Sequence, residues 1–200
     1  LVVVCHPNPD SLTRAAFERV LAGLDRAGDA VRIIDLDAEG FDPRLSREER
    51  RLHFEPPELR PQVADHVALL RWADRVVLVH PTWFGGQPAR LKGWFDRVWI
   101  NGVAFGTRPG SARIHGRLGN VRQLHVVTTH GSGPVANWLQ GNGGRVLVFR
   151  TLRALCHPRT RCRWTAVYGV DRRTPHELAQ WLDRVEDTFA GRVRARRRWW

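Results

Sequence analysis

Short apolar runs alternate along the chain with stretches whose apolar residues recur every three to four positions. Residues 1–5, 31–35, 75–80, 122–128 and 163–170 read as strands, and the run Val76-Val77-Leu78-Val79 suits a strand buried on both faces. Between them lie helical patterns. Ser11 caps a helix whose apolar face is Ala16, Phe17, Val20, Leu21 and Leu24, and Gly28 ends it. Residues 62–73 place Val63, Val67 and Leu70 inward. In residues 89–99, Leu91, Trp94, Phe95, Val98 and Trp99 fall at i, i+3, i+4, i+7 and i+8, the clearest helix of the chain. A helix over 144–155 stops before Pro158, and Thr174 caps a last helix with Leu178, Trp181, Leu182, Val185 and Phe189 on one face. Residues 41–61 are charged, proline-rich and aperiodic, a long loop with at most a short turn of helix; the glycine-rich 101–120 reads as an extended loop or hairpin.

Strands alternating with helices predict an α/β protein with a parallel sheet. Five of each is the flavodoxin-like count: three layers, with a five-stranded parallel sheet in the order 2-1-3-4-5 and helices on both faces. At 200 residues, 42% of them hydrophobic, one core is expected. No internal repeat or linker divides it, so residues 1–191 form a single domain followed by a basic tail, 192–200.

Composition narrows the function classes. The three cysteines are too few for a disulfide scaffold. No apolar run approaches a membrane span. The opening Leu1-Val2-Val3-Val4 has neither the basic segment nor the small-residue cleavage site of a secretory signal, and a cytoplasmic location is expected. The chain holds no methionine, so its biological start is expected upstream, with the first strand clipped. The formal charge of +12 comes from arginines and one lysine, Lys92. Five arginines lie within 192–200, which leaves +7 on the body. A near-total choice of arginine over lysine is not a phosphate-binding device, because lysine binds phosphate as well. The charge therefore reads as a body-wide compositional preference plus a short tail, disordered or a surface contact, and not as a nucleic-acid footprint.

In an open parallel sheet, ligands bind at the carboxyl ends of the strands near the switch in strand order. The three loops there are the most unusual segments of the chain. The first, His6-Pro7-Asn8-Pro9-Asp10-Ser11-Leu12-Thr13, enters a helix N-terminus, where backbone N–H groups and two hydroxyls make an anion site; Ser11 also reads as an ordinary cap. It lacks the glycines and lysine of a Walker A loop. The second, His80-Pro81-Thr82-Trp83-Phe84-Gly85-Gly86-Gln87-Pro88, sets two aromatics beside backbone that a flat ring can approach closely, although a tryptophan in a core is the commoner case. The third, Thr128-Thr129-His130-Gly131-Ser132-Gly133, offers donors to a polar ring edge. Trp94 and Trp99 fit a core face. The chain shows no Ser/His/Asp set or paired carboxylates, and Cys156-His157 with Cys162 lacks a zinc spacing, so no metal is expected.

Together these loops resemble the flavodoxin-like NAD(P)H:quinone oxidoreductases, the group of DT-diaphorase and the modulator of drug activity B proteins. The segment running from Pro81-Thr82-Trp83-Phe84 through Pro88-Ala89-Arg90-Leu91-Lys92-Gly93-Trp94-Phe95-Asp96 is the most specific. The resemblance implies that His6, Ser11, Leu12 and Thr13 hold a flavin phosphate. It places Pro81, Thr82, Trp83, Phe84 and Gly85 along the isoalloxazine, and Thr128, Thr129, His130 and Gly131 at its pyrimidine side. It further implies FMN or FAD as cofactor, NADPH or NADH as co-substrate, a quinone-like acceptor, ping-pong hydride transfer and a homodimer in which 101–120 is a lid or arm. No counterpart of the animal enzymes' C-terminal extension is expected, which favours FMN over FAD.

One departure concerns the proton. The family carries a glycine or tyrosine where His130 stands, and a tyrosine and a histidine further along the loop; residues 134–143 here contain neither. His130 either takes over that role as the catalytic residue or points outward. Without a relay, azo or nitro compounds become alternative acceptors. A second class of reading is an ancillary subunit of a potassium-efflux system.

Overall fold

The computed structural model describes residues 1–107 and 113–191; the basic tail, 192–200, and the tip of 101–120 lie outside the described residues. The elements follow in the order β1 (Val2–Val4), α1 (Leu12–Arg26), β2 (Ile33–Asp35), α2 (Arg47–Arg51), α3 (Ala64–Trp72), β3 (Arg75–Pro81), α4 (Ala89–Val98), β4 (Phe105–Thr107), β5 (Ile114–Gly116), β6 (Gln123–His130), α5 (Pro134–Leu139), α6 (Gly143–Val146), β7 (Arg161–Tyr168) and α7 (Pro175–Phe189). The sheet runs β2-β1-β3-β6-β7, all parallel, and β4-β5 is a separate antiparallel pair. Counting sheet strands alone, this is the expected 2-1-3-4-5.

Two cores sandwich the sheet because side chains alternate along each buried strand. Val76 and Leu78 face α3 and α4, where Leu70, Leu91, Trp94 and Val98 are buried; Val77 and Val79 face α1 and α7, where Phe17, Val20, Trp181 and Val185 are buried. Burying each such side chain contributes about 1.5–3 kcal/mol. Helices α1 and α7 approach so closely that a Cβ on Gly23 would lie 2.5 Å from the Glu186 carbonyl oxygen. Ser11 accepts a hydrogen bond from the Arg14 N–H, and Thr174 forms a capping box with Glu177, so both expected caps are present.

Several boundaries differ from the sequence reading. The 41–61 loop contains α2, started by a Ser46–Glu49 capping box. Strand β6 continues two residues further, through His130, because its pairing with β7 persists to His130 opposite Tyr168. Thr128, Thr129 and His130 are therefore strand, with alternating faces. The helix expected over 144–155 begins as α6 and passes through a π-helical stretch, Leu147–Leu152. The short helix α5, which has no clear apolar period, precedes it. The β4-β5 pair sits past the C-terminal end of α4, where Gly116 abuts Leu155 and Phe105 lies near His53.

Candidate active site

At the carboxyl end of β1, the chain turns through residues 6–10 into α1. His6 Nδ1 accepts from the Asn8 N–H at 3.1 Å and Asn8 Oδ1 from the Asp10 N–H at 2.9 Å, so the turn is held by its own side chains. Ser11 Oγ caps Arg14 N. The Leu12 and Thr13 N–H groups have no acceptor among the described residues, no acidic side chain lies in the first turn, and Arg14 pairs with Asp35. The result is a positive helix end with free donors and nothing negative in its first turn, which suits a phosphate. The Leu12 side chain packs towards the α1–α7 core, so its contribution is its backbone N–H.

The loop after β3 is a two-residue hairpin. Trp83 and Gly86 exchange backbone hydrogen bonds of 3.0 and 3.1 Å, and the two central residues, Phe84 and Gly85, have φ of 48° and 74°. Positive φ at both positions is the type I′ signature, easy for Gly85 and strained for Phe84. The turn leaves the Phe84 ring fully exposed and Trp83 half-exposed. The hairpin rests on α6 through the Gly144 N–H to the Gly85 carbonyl at 3.3 Å and Gln87 Nε2 to the Gly144 carbonyl at 2.9 Å. No atom lies within 4 Å of where a Gly86 Cβ would stand, so the backbone there is open to a flat ring.

Specific contacts join the three loops. The His6 and Trp83 rings lie 6.1 Å apart. Thr13 Oγ1 meets Thr129 Oγ1 at 3.2 Å. The Thr82 N–H donates to the Thr129 carbonyl at 2.8 Å, and Thr82 Oγ1 lies 3.0 Å from Thr128 Oγ1 and 3.3 Å from His130 Nε2. Pro81 closes β3, and its carbonyl accepts from His80 Nδ1 at 2.9 Å. Gly131 is exposed, and a Cβ there would lie 3.3 Å from Asp171 Oδ2. All the residues expected at the site thus gather at one end of the sheet.

His130 points inward, with only 4% of its surface exposed. Burial holds its pKa below the usual histidine value, and the hydrogen bond to Asn137 offsets only part of that. The ring stacks on Tyr168 at 4.4 Å, and Nδ1 lies 2.8 Å from Asn137 Oδ1. Beside it, the wholly buried His80 is held down to about 4, chiefly by burial. Sequence reasoning did not find Tyr168 or Asn137. The first lay within the expected fifth strand, but only the pairing with β6 sets it opposite His130; the second had no signal, because α5 has no apolar period to place it. Among the described residues, no group of three or more His, Cys, Asp or Glu is placed to hold a metal, and no helix is long and apolar enough to cross a membrane.

The flavodoxin-like fold family matches residues 1–158. NAD(P)H dehydrogenase [quinone] 1 of Rattus norvegicus is 31% identical over 160 residues, covering 72% of this chain and 57% of that protein. The chain spans little more than half the length of the first curated relatives it matches. Among solved structures, Smu.1420 of Streptococcus mutans superposes with a TM-score of 0.83 at 25% identity, covering 95% of this chain and 97% of the other. An FMN-dependent NADH-azoreductase of Bacillus anthracis, solved in complex with FMN, superposes at 0.73 with 16% identity over 95% of this chain and 96% of that one, a likeness of fold.

Proposed function

The chain belongs to the flavodoxin-like fold family, and on that footing we propose that it is a flavin-dependent NAD(P)H oxidoreductase that reduces quinone-like acceptors by two electrons. The observation that carries this is the meeting of three unlike surfaces at one end of the sheet. They are the free N–H groups of Leu12 and Thr13 beside the Ser11 and Thr13 hydroxyls, the exposed Trp83 and Phe84 on a strained turn, and the partly exposed Thr82 hydroxyl backed by the buried Thr128 and His130. The first suits a phosphate monoester, the second the face of a heteroaromatic ring, and the third its polar edge. FMN is the proposed flavin, since one helix end offers one phosphate site. The name of the rat relative supports the reduced nicotinamide and the quinone.

When bound, the flavin supplies a hydride relay between nicotinamide and acceptor, which gives ping-pong kinetics. The residues of this chain do the rest. The α1 N-terminus anchors the phosphate through charge and N–H donors. Trp83 and Phe84 cover the ring and exclude water from it. The His130 backbone and Gly131 approach its edge without bulk, and the Thr82 hydroxyl, held by Thr128 behind it, stabilises charge that develops there.

A homodimer is part of the proposal. Helix α5 buries only the polar Asn137, while Val135, Trp138 and Leu139 face solvent, the last two 68% and 72% exposed, close to the exposed Phe84 turn. An apolar patch of this kind beside a site fits a second copy of the chain.

Three measurements test the proposal. Purified protein should carry, or take up, FMN with visible flavin absorption, and mass spectrometry of the released cofactor identifies it. NADH or NADPH should then be oxidised with menadione as acceptor. Failure to bind any flavin after reconstitution removes the reading. Sedimentation should show a dimer that Trp138→Lys converts to monomer.

A further inference from the structure

Asn137 is the one buried side chain of α5, on a helix whose apolar residues face outward. A polar residue buried in place of an apolar one needs a reason, and its hydrogen bonds supply it. Its Nδ2 donates to Ser132 Oγ and to the Gly133 carbonyl, both at 2.8 Å. A carbonyl oxygen only accepts, so that end of the amide is the NH2. Its Oδ1 therefore faces His130 Nδ1 at 2.8 Å, and an oxygen there requires a proton on Nδ1. In the neutral ring Nε2 is then bare. It takes the Thr82 hydroxyl at 3.3 Å, and Thr82 Oγ1 is left to accept from the Thr128 hydroxyl at 3.0 Å. Every donor in the chain from Thr128 through Thr82 and His130 to Asn137 points the same way. Thr128 is buried and Thr82 is partly exposed, so Thr82 is the member that meets the cleft.

We propose that Asn137 is a positioning residue that locks His130 in the Nδ1–H tautomer, and that the imidazole so held delivers, through Thr82, the proton that a quinone-class acceptor takes up with a hydride. The catalytic half of this rests on the reductase reading; the tautomer does not. Reduction of a quinone to the hydroquinone takes one hydride, whose electrons come from the reduced nicotinamide, and one proton. The acceptor gains an O–H bond as the Thr82 O–H bond breaks. This requires a proton on Nε2 first: the bond to Thr82 then reverses, Nε2–H donating to Thr82 Oγ1 while the Thr82 O–H turns to the acceptor. Thr82 regains its proton as the Nε2–H bond breaks, which leaves the ring neutral with Nε2 bare again, and a proton from solvent, passed back through Thr82, restores it. Asn137 Oδ1 accepts from Nδ1–H throughout, so the ring exchanges protons only at Nε2, through Thr82. The stack on Tyr168 fixes the ring plane. The other groups facing His130 are His80 from β3, Trp164 from β7 and, beside Gly131, Asp171.

Imidazole nitrogen-15 correlation spectra of the full chain read the tautomer directly, with no substrate and no variant. The expected pattern for His130 is a protonated Nδ1 and a bare Nε2; a protonated Nε2 with a bare Nδ1 overturns the lock. Asn137→Leu should shift protons onto Nε2, and Asn137→Asp, which keeps the acceptor, should restore Nδ1–H; an unchanged tautomer in Asn137→Leu overturns the role of Asn137. In stopped-flow kinetics, Asn137→Leu should slow the half-reaction that reduces menadione by up to about a hundredfold, the low end of what a positioned proton donor contributes. The half-reaction that oxidises NAD(P)H and the affinity for FMN should stay unchanged. Equal slowing of both halves, or of neither, overturns the relay. Parent protein that binds no flavin overturns the reductase reading and the relay with it, while the spectra still decide the lock.

Discussion

Lowering the pH from about 7.5 to about 5 is expected to cost this fold about 4 kcal/mol through two buried imidazoles, His80 and His125. His125 stacks on Phe189 at 4.4 Å and its Nε2 lies 2.9 Å from Thr165 Oγ1. Burial, followed by the positive charges of Arg163 and Arg75, holds its pKa down to about 3; burial holds His80 to about 4. Both start from 6.5 in the unfolded chain. Below that value the unfolded chain binds a proton at each ring and the native state does not. Stability therefore falls as pH drops through 6.5, and goes on falling until the native rings protonate. About pH 5 lies ~1.5 units below the unfolded value and above both native ones, so each ring costs about 2 kcal/mol at ~1.36 kcal/mol per unit. Most carboxylates remain ionised in this window, so the imidazoles are seen apart from them. The total is a large share of the ~5–15 kcal/mol that holds a domain of this kind. Urea unfolding followed by tryptophan fluorescence at the two pH values measures it. His125→Gln, less stable at both, should lose about 2 kcal/mol of the difference between them. The same difference in variant and parent would refute the reasoning.

Three further outcomes follow from the packing. Gly93→Ala should destabilise by about 3 kcal/mol or more, the upper end of overpacking, because its Cβ would lie 2.3 Å from the Pro43 carbonyl oxygen; thermal unfolding reports it. Glu49→Leu should cost about 3–5 kcal/mol by stranding the buried Arg97, whose Nε donates to Glu49 Oε1 at 2.7 Å, whereas Glu49→Leu with Arg97→Met should recover most of that in a double-mutant cycle. Phe84→Asn should raise stability by about 1 kcal/mol by relieving the left-handed backbone at φ 48°, and should weaken FMN binding in a fluorescence titration.

Much of the fold was legible because its signals are local. The Val76–Val79 run marked a strand buried on both faces, and the period of Leu91, Trp94, Phe95 and Val98 marked α4; both patterns reflect nearest neighbours along one element. Helix α5 was not legible, because its apolar residues face outward and its buried one is polar, the reverse of the pattern a sequence reader relies on. The π stretch 147–152 was hidden for a related reason: its apolar residues suit either helical period. The extension of β6 through Thr129 and His130 depends on hydrogen bonds to β7, a strand 38 residues further on, which local propensity does not encode.

The sequence by itself determined most of the strands and helices, the caps of the first and last helices and the three loops at which chemistry gathers, since periodicity, capping residues and breakers act within a few positions of one another; the sheet order was expected only by likeness of the element count to a known fold type, and the long-range strand pairs decided it. Only the tertiary structure decided where His130 points and what meets its two ring nitrogens. Its direction follows from the strand register that sets it opposite Tyr168; its Nδ1 meets an amide on a helix whose apolar side faces out, and its Nε2 meets the Thr82 hydroxyl just past β3, which in turn meets Thr128 of β6. A proton's place on an imidazole is set by the partners of both ring nitrogens, and those partners meet only when the chain has folded.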